Sequence, residues 1–187
     1  MTPDQSPALQ PGIQPRASLW RRLDALSRRG LPAVFTALSV LLLSAPFDLP
    51  GQAELLSGVV LSSVFFWSVF RPASMPSPVV FLLGLLVDLL GFGPPGVMLL
   101  ILLIVHGIGL SGRYGFARIH VLLLWAVFGG VALAATVLQW GLMSILAFRM
   151  MPGVPFVFQW TLALGVFPML CALFTMMSRT MANPDRA

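Results

Sequence analysis

Long apolar runs separated by short polar breaks dominate this chain, and the runs lack the regular polar stripe of a helix on a water-soluble core. Six such segments fall near 31–47, 54–70, 78–92, 95–111, 119–148 and 156–178. A membrane-crossing helix uses about 20 apolar residues, so the pattern predicts an all-α integral membrane protein, a compact bundle of six transmembrane helices. Segments three and four meet at Gly91-Phe92-Gly93-Pro94-Pro95-Gly96. Paired prolines supply no amide donors and disfavour helix in the residue before them, so a tight hairpin is expected there. Fused, the two segments would form a helix of about 33 residues and about 50 Å, well beyond a hydrocarbon core of about 30 Å. Segment five is long enough to require tilt or a kink, with Gly129-Gly130 as the place for a kink or a close helix crossing.

The first 29 residues read differently. Pro3, Pro7, Pro11 and Pro15 make the start polar and proline-rich, so it is expected to be partly disordered. Arg16, Arg21, Arg22, Arg28 and Arg29 then surround Leu19, Trp20, Leu23 and Leu26. That spacing fits a short helix on the membrane surface, and a basic flank without fixed structure fits equally well. No small-residue cleavage site follows, so the first apolar segment is read as a retained helix. The organisation expected is a Pro/Arg-rich tail over 1–29, a membrane domain over 30–178 and a short tail over 179–187.

Composition excludes the soluble alternative. Of 187 residues, 58% are hydrophobic and 9% charged, with a mean hydropathy of +0.93. A soluble domain is about one-quarter charged. The net charge of +5 comes from arginine alone, because the chain contains no lysine. These arginines border apolar segments, where they orient helices and meet lipid headgroups, so nucleic acid is not an expected partner. With six spans and a cytoplasmic N-terminus, Arg16, Arg21, Arg22, Arg28, Arg29, Arg71, Arg113, Arg118, Arg179 and Arg186 fall inside and Arg149 alone outside. The positive-inside bias therefore predicts both termini in the cytoplasm.

Few residues suggest chemistry. Asp88 lies in the otherwise apolar third segment, where a carboxylate costs about 2.5–3.5 kcal/mol on insertion scales and needs a partner or a cavity. A proton or cation relay is one reading. The preferred reading is structural: a place near the outer interface, a protonated carboxyl, or a bond to backbone amides freed by the Gly91–Gly96 turn. His106 and His120 lack neighbouring ligands at metal spacing, so hydrogen-bonding or interfacial roles are expected of them. Ser57, Ser62, Ser63 and Ser68 share segment two with no histidine to activate them, and no nucleophile-elbow, zinc or phosphate-loop motif occurs. Cys171 is the only cysteine. No enzyme activity, cofactor or metal is expected. Ala33 with Ala37, and Gly58 with Ser62, are small pairs that let helices approach closely. Trp20, Trp67, Trp125, Trp140 and Trp160 fit interfacial or bundle-filling roles.

One stretch carries a resemblance. Trp67-Ser68-Val69-Phe70-Arg71-Pro72, then Phe81 through Gly91 with Gly84 and Asp88 inside it, then Pro94-Pro95-Gly96, resembles the bacterial rod shape-determining MreD family. The likeness in size and layout covers residues 30–178. It implies a non-enzymatic, multi-pass scaffold of the cell-elongation complex in the bacterial inner membrane, involved in rod shape and lateral peptidoglycan synthesis. The implied partners are MreC and, through it, MreB, RodA and a class B penicillin-binding protein. On this reading Gly84, Asp88, Gly91, Pro94, Pro95 and Gly96 fix a rigid wedge that positions a partner's membrane helix, while Arg21, Arg22, Arg28, Arg29, Arg71, Arg113 and Arg118 set the topology. The competing reading is a substrate-binding membrane subunit of an energy-coupling-factor vitamin transporter. That reading needs a polar pocket on the outer side, where Asp48, Gln52, Glu54, Asp88 and Gln159 are the few candidates, and they form no recognisable motif.

Overall fold

The computed structural model describes residues 19–45, 50–91, 93–116 and 119–182, with side chains described from residue 30 to residue 176 within those ranges. The apolar runs become helices because a helix satisfies its own backbone amides and carbonyls where no water can. In chain order these are α1 (Leu19–Ser44), α2 (Gln52–Phe70), α3 (Ser77–Leu90), α4 (Val97–Phe116), α5 (Val121–Leu146) and α6 (Val154–Ala182). A 3-10 turn, Pro72–Ser74, joins α2 to α3. No strand occurs among the described residues.

Four helices are long and apolar enough to cross a membrane: α2, α4, α5 and the Val154–Met176 part of α6. The apolar stretches Gly30–Ser44 of α1 and Ser77–Leu90 of α3 are shorter. With 14 residues, α3 rises about 21 Å, less than a hydrocarbon core of about 30 Å. It stops at Leu90 because Gly91 turns to an extended conformation, φ −82° and ψ 163°.

The N-terminal boundary differs from the sequence reading. A break near residue 29 is expected there, whereas α1 runs unbroken from Leu19 to Ser44 with Pro32 inside it. Proline removes one amide donor but does not end a helix that is favoured on both sides of it. The basic stretch and the first apolar segment are therefore one element. Residues 1–18 and 183–187 lie outside the described residues, as do Asp48 and Arg118.

The bundle is built around α2, which packs against α6, α4 and α1. Val60, Leu61, Val64, Phe65, Phe66, Trp67 and Val69 of α2 are all buried. Small residues let its neighbours close in. A β-carbon on Gly58 would lie 3.3 Å from the Ala163 backbone of α6, and one on Gly109 of α4 would lie 2.8 Å from Ser68 Cβ. Aromatic rings fill the centre: Phe128 and Phe167 stack at 4.0 Å between centroids, and Trp67 meets Phe174 at 5.1 Å. Gly129-Gly130 leaves α5 uninterrupted, and Trp160 Nε1 of α6 donates to Gly129 O at 3.0 Å. The Ser62, Ser63 and Ser68 hydroxyls donate to carbonyls four residues earlier on α2, as membrane-helix serines commonly do.

The helices alternate in direction. The end of α1, start of α2, end of α3, start of α4, end of α5 and start of α6 meet at one end of the bundle, around a shared cavity.

Candidate functional site

The hairpin between α3 and α4 is the first constellation. Val97 opens α4, so Gly96 stands where a capping side chain would normally sit, and Gly96 has none. Its φ of +92° is a left-handed conformation that costs glycine nothing. The missing cap comes from Asp88, eight residues earlier on α3. One carboxylate oxygen accepts from the amides of Gly96 at 2.9 Å and Leu99 at 3.0 Å. The other accepts from the Met98 amide at 3.0 Å. A negative group at a helix N-terminus also meets the positive end of the helix dipole.

Gly84 completes the clasp. A β-carbon there would lie 2.6 Å from Leu99 Cα, so the α3 and α4 backbones can approach only because position 84 lacks one. Gly91 is the C-cap of α3, and its amide donates to Val87 O at 2.7 Å. Pro94 is half-buried, whereas Pro95 and Gly96 form the exposed turn. The six hairpin residues singled out by the sequence thus converge on one connection, with Asp88 tied to backbone amides.

The second constellation is the cavity, about 610 Å³ in volume, at the same end of the bundle. Its walls include Leu43, Leu56, Val97, Met143 and Phe156, and its polar side chains are those of Ser44, Gln52, Glu54, Ser57, Asp88, Gln139 and Gln159, with the Ser44 hydroxyl bonded back to Val40 O. Four of the five outer-side candidates named from sequence are brought together here. The fifth, Asp48, lies outside the described residues. Each polar group has a distinct state. The Gln52 side-chain amide donates to the α1 carbonyl of Leu43 at 2.5 Å and to Ala45 O, leaving its own carbonyl oxygen free. Gln159 Nε2 donates to Gln139 Oε1 at 2.8 Å, and both residues are buried. Glu54 has no hydrogen bond or ion pair with any described residue, and neither does Ser57, the one α2 serine that does not bond back to its helix.

Sequence reasoning missed Gln139 and named Ser57 only among the serines of segment two. A signal for Gln139 was present: it and Gln159 lie equally far from Arg149, at the centre of the α5–α6 connection. An antiparallel helix pair folding at that point places them opposite one another.

A third polar group lies toward the opposite end. Ser68 Oγ of α2 is 2.6 Å from His106 Nδ1 of α4, and Ser77 Oγ of α3 is 3.3 Å from its Nε2. The sequence reading found no histidine beside the serines because it looked along one segment, whereas helix packing supplies His106 from another. Ser68 is fully buried, His106 is 3% exposed and Ser77 is exposed, so the trio links three helices from the core to the bundle surface. His120 caps α5, its Nδ1 accepting from the Leu122 amide at 3.4 Å. Among the described residues no three His, Cys, Asp or Glu side chains group as a metal site.

Comparison with protein-family models, curated proteins and solved structures finds no match in any of the three. The site is therefore read from its own chemistry.

The charges are distributed by end. Arg71 follows α2 and Arg113 ends α4, at the end where α1 begins. Glu54, Asp88 and Arg149 belong to the cavity end. The Arg113 guanidinium lies over the Tyr114 ring, 4.5 Å from its centroid, and donates to the phenol oxygen. Arg21, Arg22, Arg28 and Arg29 fall on the first half of α1, where side chains are outside the described residues.

Proposed function

We propose that this protein is a non-enzymatic scaffold of the MreD type in the bacterial inner membrane, with six spans and both termini in the cytoplasm, serving rod shape and lateral peptidoglycan synthesis. The observation that carries the proposal is the α3–α4 clasp: Gly84, Asp88, Gly91, Pro94, Pro95 and Gly96, the residues behind the resemblance, all serve one rigid hairpin. Phe81, Leu82, Leu85 and Leu89 of α3 are exposed on the outside of the bundle, Leu89 at 79%. A span shorter than the hydrocarbon core thins the bilayer around it or is relieved by associating with another helix. A partner's membrane helix laid along α3 relieves that mismatch and gains packing on these four side chains. In this role MreC is the direct partner, with MreB, RodA and a class B penicillin-binding protein reached through it. The arginine-rich end faces the cytoplasm, where anionic lipids attract it.

The test is depletion in the rod-shaped host, with purification of the tagged protein in mild detergent. Rounded cells and co-purified MreC are expected. Unchanged shape and a preparation free of MreC would overturn the proposal.

The cavity favours a second reading, a substrate-binding subunit of an energy-coupling-factor transporter, because its polar groups gather at the end that this topology turns outward. Retention of an energy-coupling subunit in the same purification distinguishes it from the scaffold.

A further inference from the structure

The cavity bounded by α1, α2 and the α3–α4 and α5–α6 hairpins has a polarity that a simple packing defect lacks. Empty cavities in proteins are lined by apolar groups, and buried polar groups are otherwise paired. Gln139 and Gln159 are 7% and 6% exposed, and their mutual bond uses one amide hydrogen and one carbonyl oxygen. One amide group on one side chain and one carbonyl on the other remain. Neither is a fully enclosed orphan, since Trp67 Nε1 is the only such atom among the described residues. Both residues line the cavity. Exchanging the oxygen and nitrogen positions of both amides leaves the same balance of one donor group and one acceptor.

Among the other side chains of the lining, acceptors outnumber donors. Gln52 contributes a carbonyl oxygen, because its amide hydrogens serve α1. Glu54, the chain's only glutamate, contributes a carboxylate with no partner among the described residues. The Asp88 carboxylate, although satisfied by three amides, adds a second acidic group. Among the described residues no arginine or histidine lines the space. A ligand complementary to these side chains carries positive charge and several N–H donors. The volume of about 610 Å³ is in the range of pockets for small organic molecules, about 300–1,000 Å³, and far above that of one hydrated ion. Leu56, Val97, Met143 and Phe156 give it apolar walls for the ligand's body.

We propose that this cavity is a binding site for a small organic cation, an ammonium group carried on an apolar or planar body, with Glu54 as counter-charge and the Gln139–Gln159 pair reading its hydrogen-bonding edge. This site stands whether the protein acts as a scaffold or as a transporter subunit, because it follows from the lining alone.

The experiment uses the full chain in lipid nanodiscs and matched probes that differ mainly in charge. 2-Phenylethylammonium and tryptammonium are titrated calorimetrically beside 3-phenylpropionate and indole-3-propionate. At least one ammonium probe is expected to bind saturably, and each carboxylate at least tenfold more weakly than its ammonium counterpart. Glu54→Gln is expected to weaken the cation at least tenfold. Gln159→Glu, nearly the same in volume, is expected to tighten it. Circular dichroism and elution as a single species confirm that each variant is folded. Failure of both ammonium probes to bind saturably overturns the proposal, as does equal binding of the carboxylates. Binding that both variants leave unchanged also overturns it, by locating the probe in lipid or elsewhere on the protein.

Discussion

Removing the Asp88 carboxylate tests the clasp most directly. Three backbone amides depend on it, those of Gly96, Met98 and Leu99, at 2.9–3.0 Å. Hydrogen bonds to a charged group contribute about 1.5–3 kcal/mol each, and loss of a helix N-cap costs about 0.5–2 kcal/mol. These values do not simply add. Gly96 is exposed, so water replaces the carboxylate at its amide, whereas Met98 is 5% exposed and has less access to water. Asp88→Ala should therefore destabilise the bundle by about 2–4 kcal/mol. Asp88→Asn should cost about 1–2 kcal/mol, because one amide oxygen accepts from at most two of the three donors. The measurement is reversible unfolding in mixed micelles, titrated with sodium dodecyl sulfate and followed by far-ultraviolet circular dichroism. An Ala variant within about 0.5 kcal/mol of the parent would refute the capping role. An Asn variant with unchanged stability but lost function would return Asp88 to the relay reading.

Other perturbations follow from the same geometry. Gly84→Ala sets a methyl group 2.6 Å from Leu99 Cα, so α3 and α4 must separate, and a loss of about 1–3 kcal/mol is expected in the same titration. Gly96→Ala forces φ +92° on a residue with a β-carbon and should cost about 1–2 kcal/mol, and a neutral result would show that the turn re-forms differently. Trp67→Phe removes an indole N–H that has no partner, whereas Trp160→Phe breaks the bond to Gly129 O. The half-buried Trp160 should therefore lose about 1 kcal/mol from its broken hydrogen bond, and an unchanged stability would refute that contribution, whereas the fully buried Trp67 loses ring packing and no hydrogen bond. Ser68→Ala should cost about 1–3 kcal/mol, because His106 Nδ1 loses its 2.6 Å partner in a buried setting, and a null effect would refute the three-helix link.

What the sequence determined by itself is the class of the molecule and the location of its turns. A chain that is 58% hydrophobic and 9% charged has no polar surface to offer water, and apolar runs of this length become helices because lipid cannot satisfy a bare backbone. Gly91 and Pro94-Pro95 marked the α3–α4 turn correctly because turn chemistry acts within a few residues. Asp88 was legible as a residue in need of a partner for the same reason: its amides lie within eleven residues, across a turn the sequence already marked. Local signals were silent on three matters. The unbroken α1 depended on helix continuing through Pro32, where proline statistics argue for a boundary. The pairing of Ser68 with His106 spans 38 residues and exists only because Gly109 lets α4 approach α2. The cavity is the clearest case. Gln52, Glu54, Ser57, Asp88, Gln139 and Gln159 come from four helices; topology assigned four of them to one side and the turn at Arg149 sets Gln139 opposite Gln159, but that all six line one space is not written along the chain. Their meeting is set by the alternation of helix direction and by which small residues let each pair of helices close, properties of packing in three dimensions.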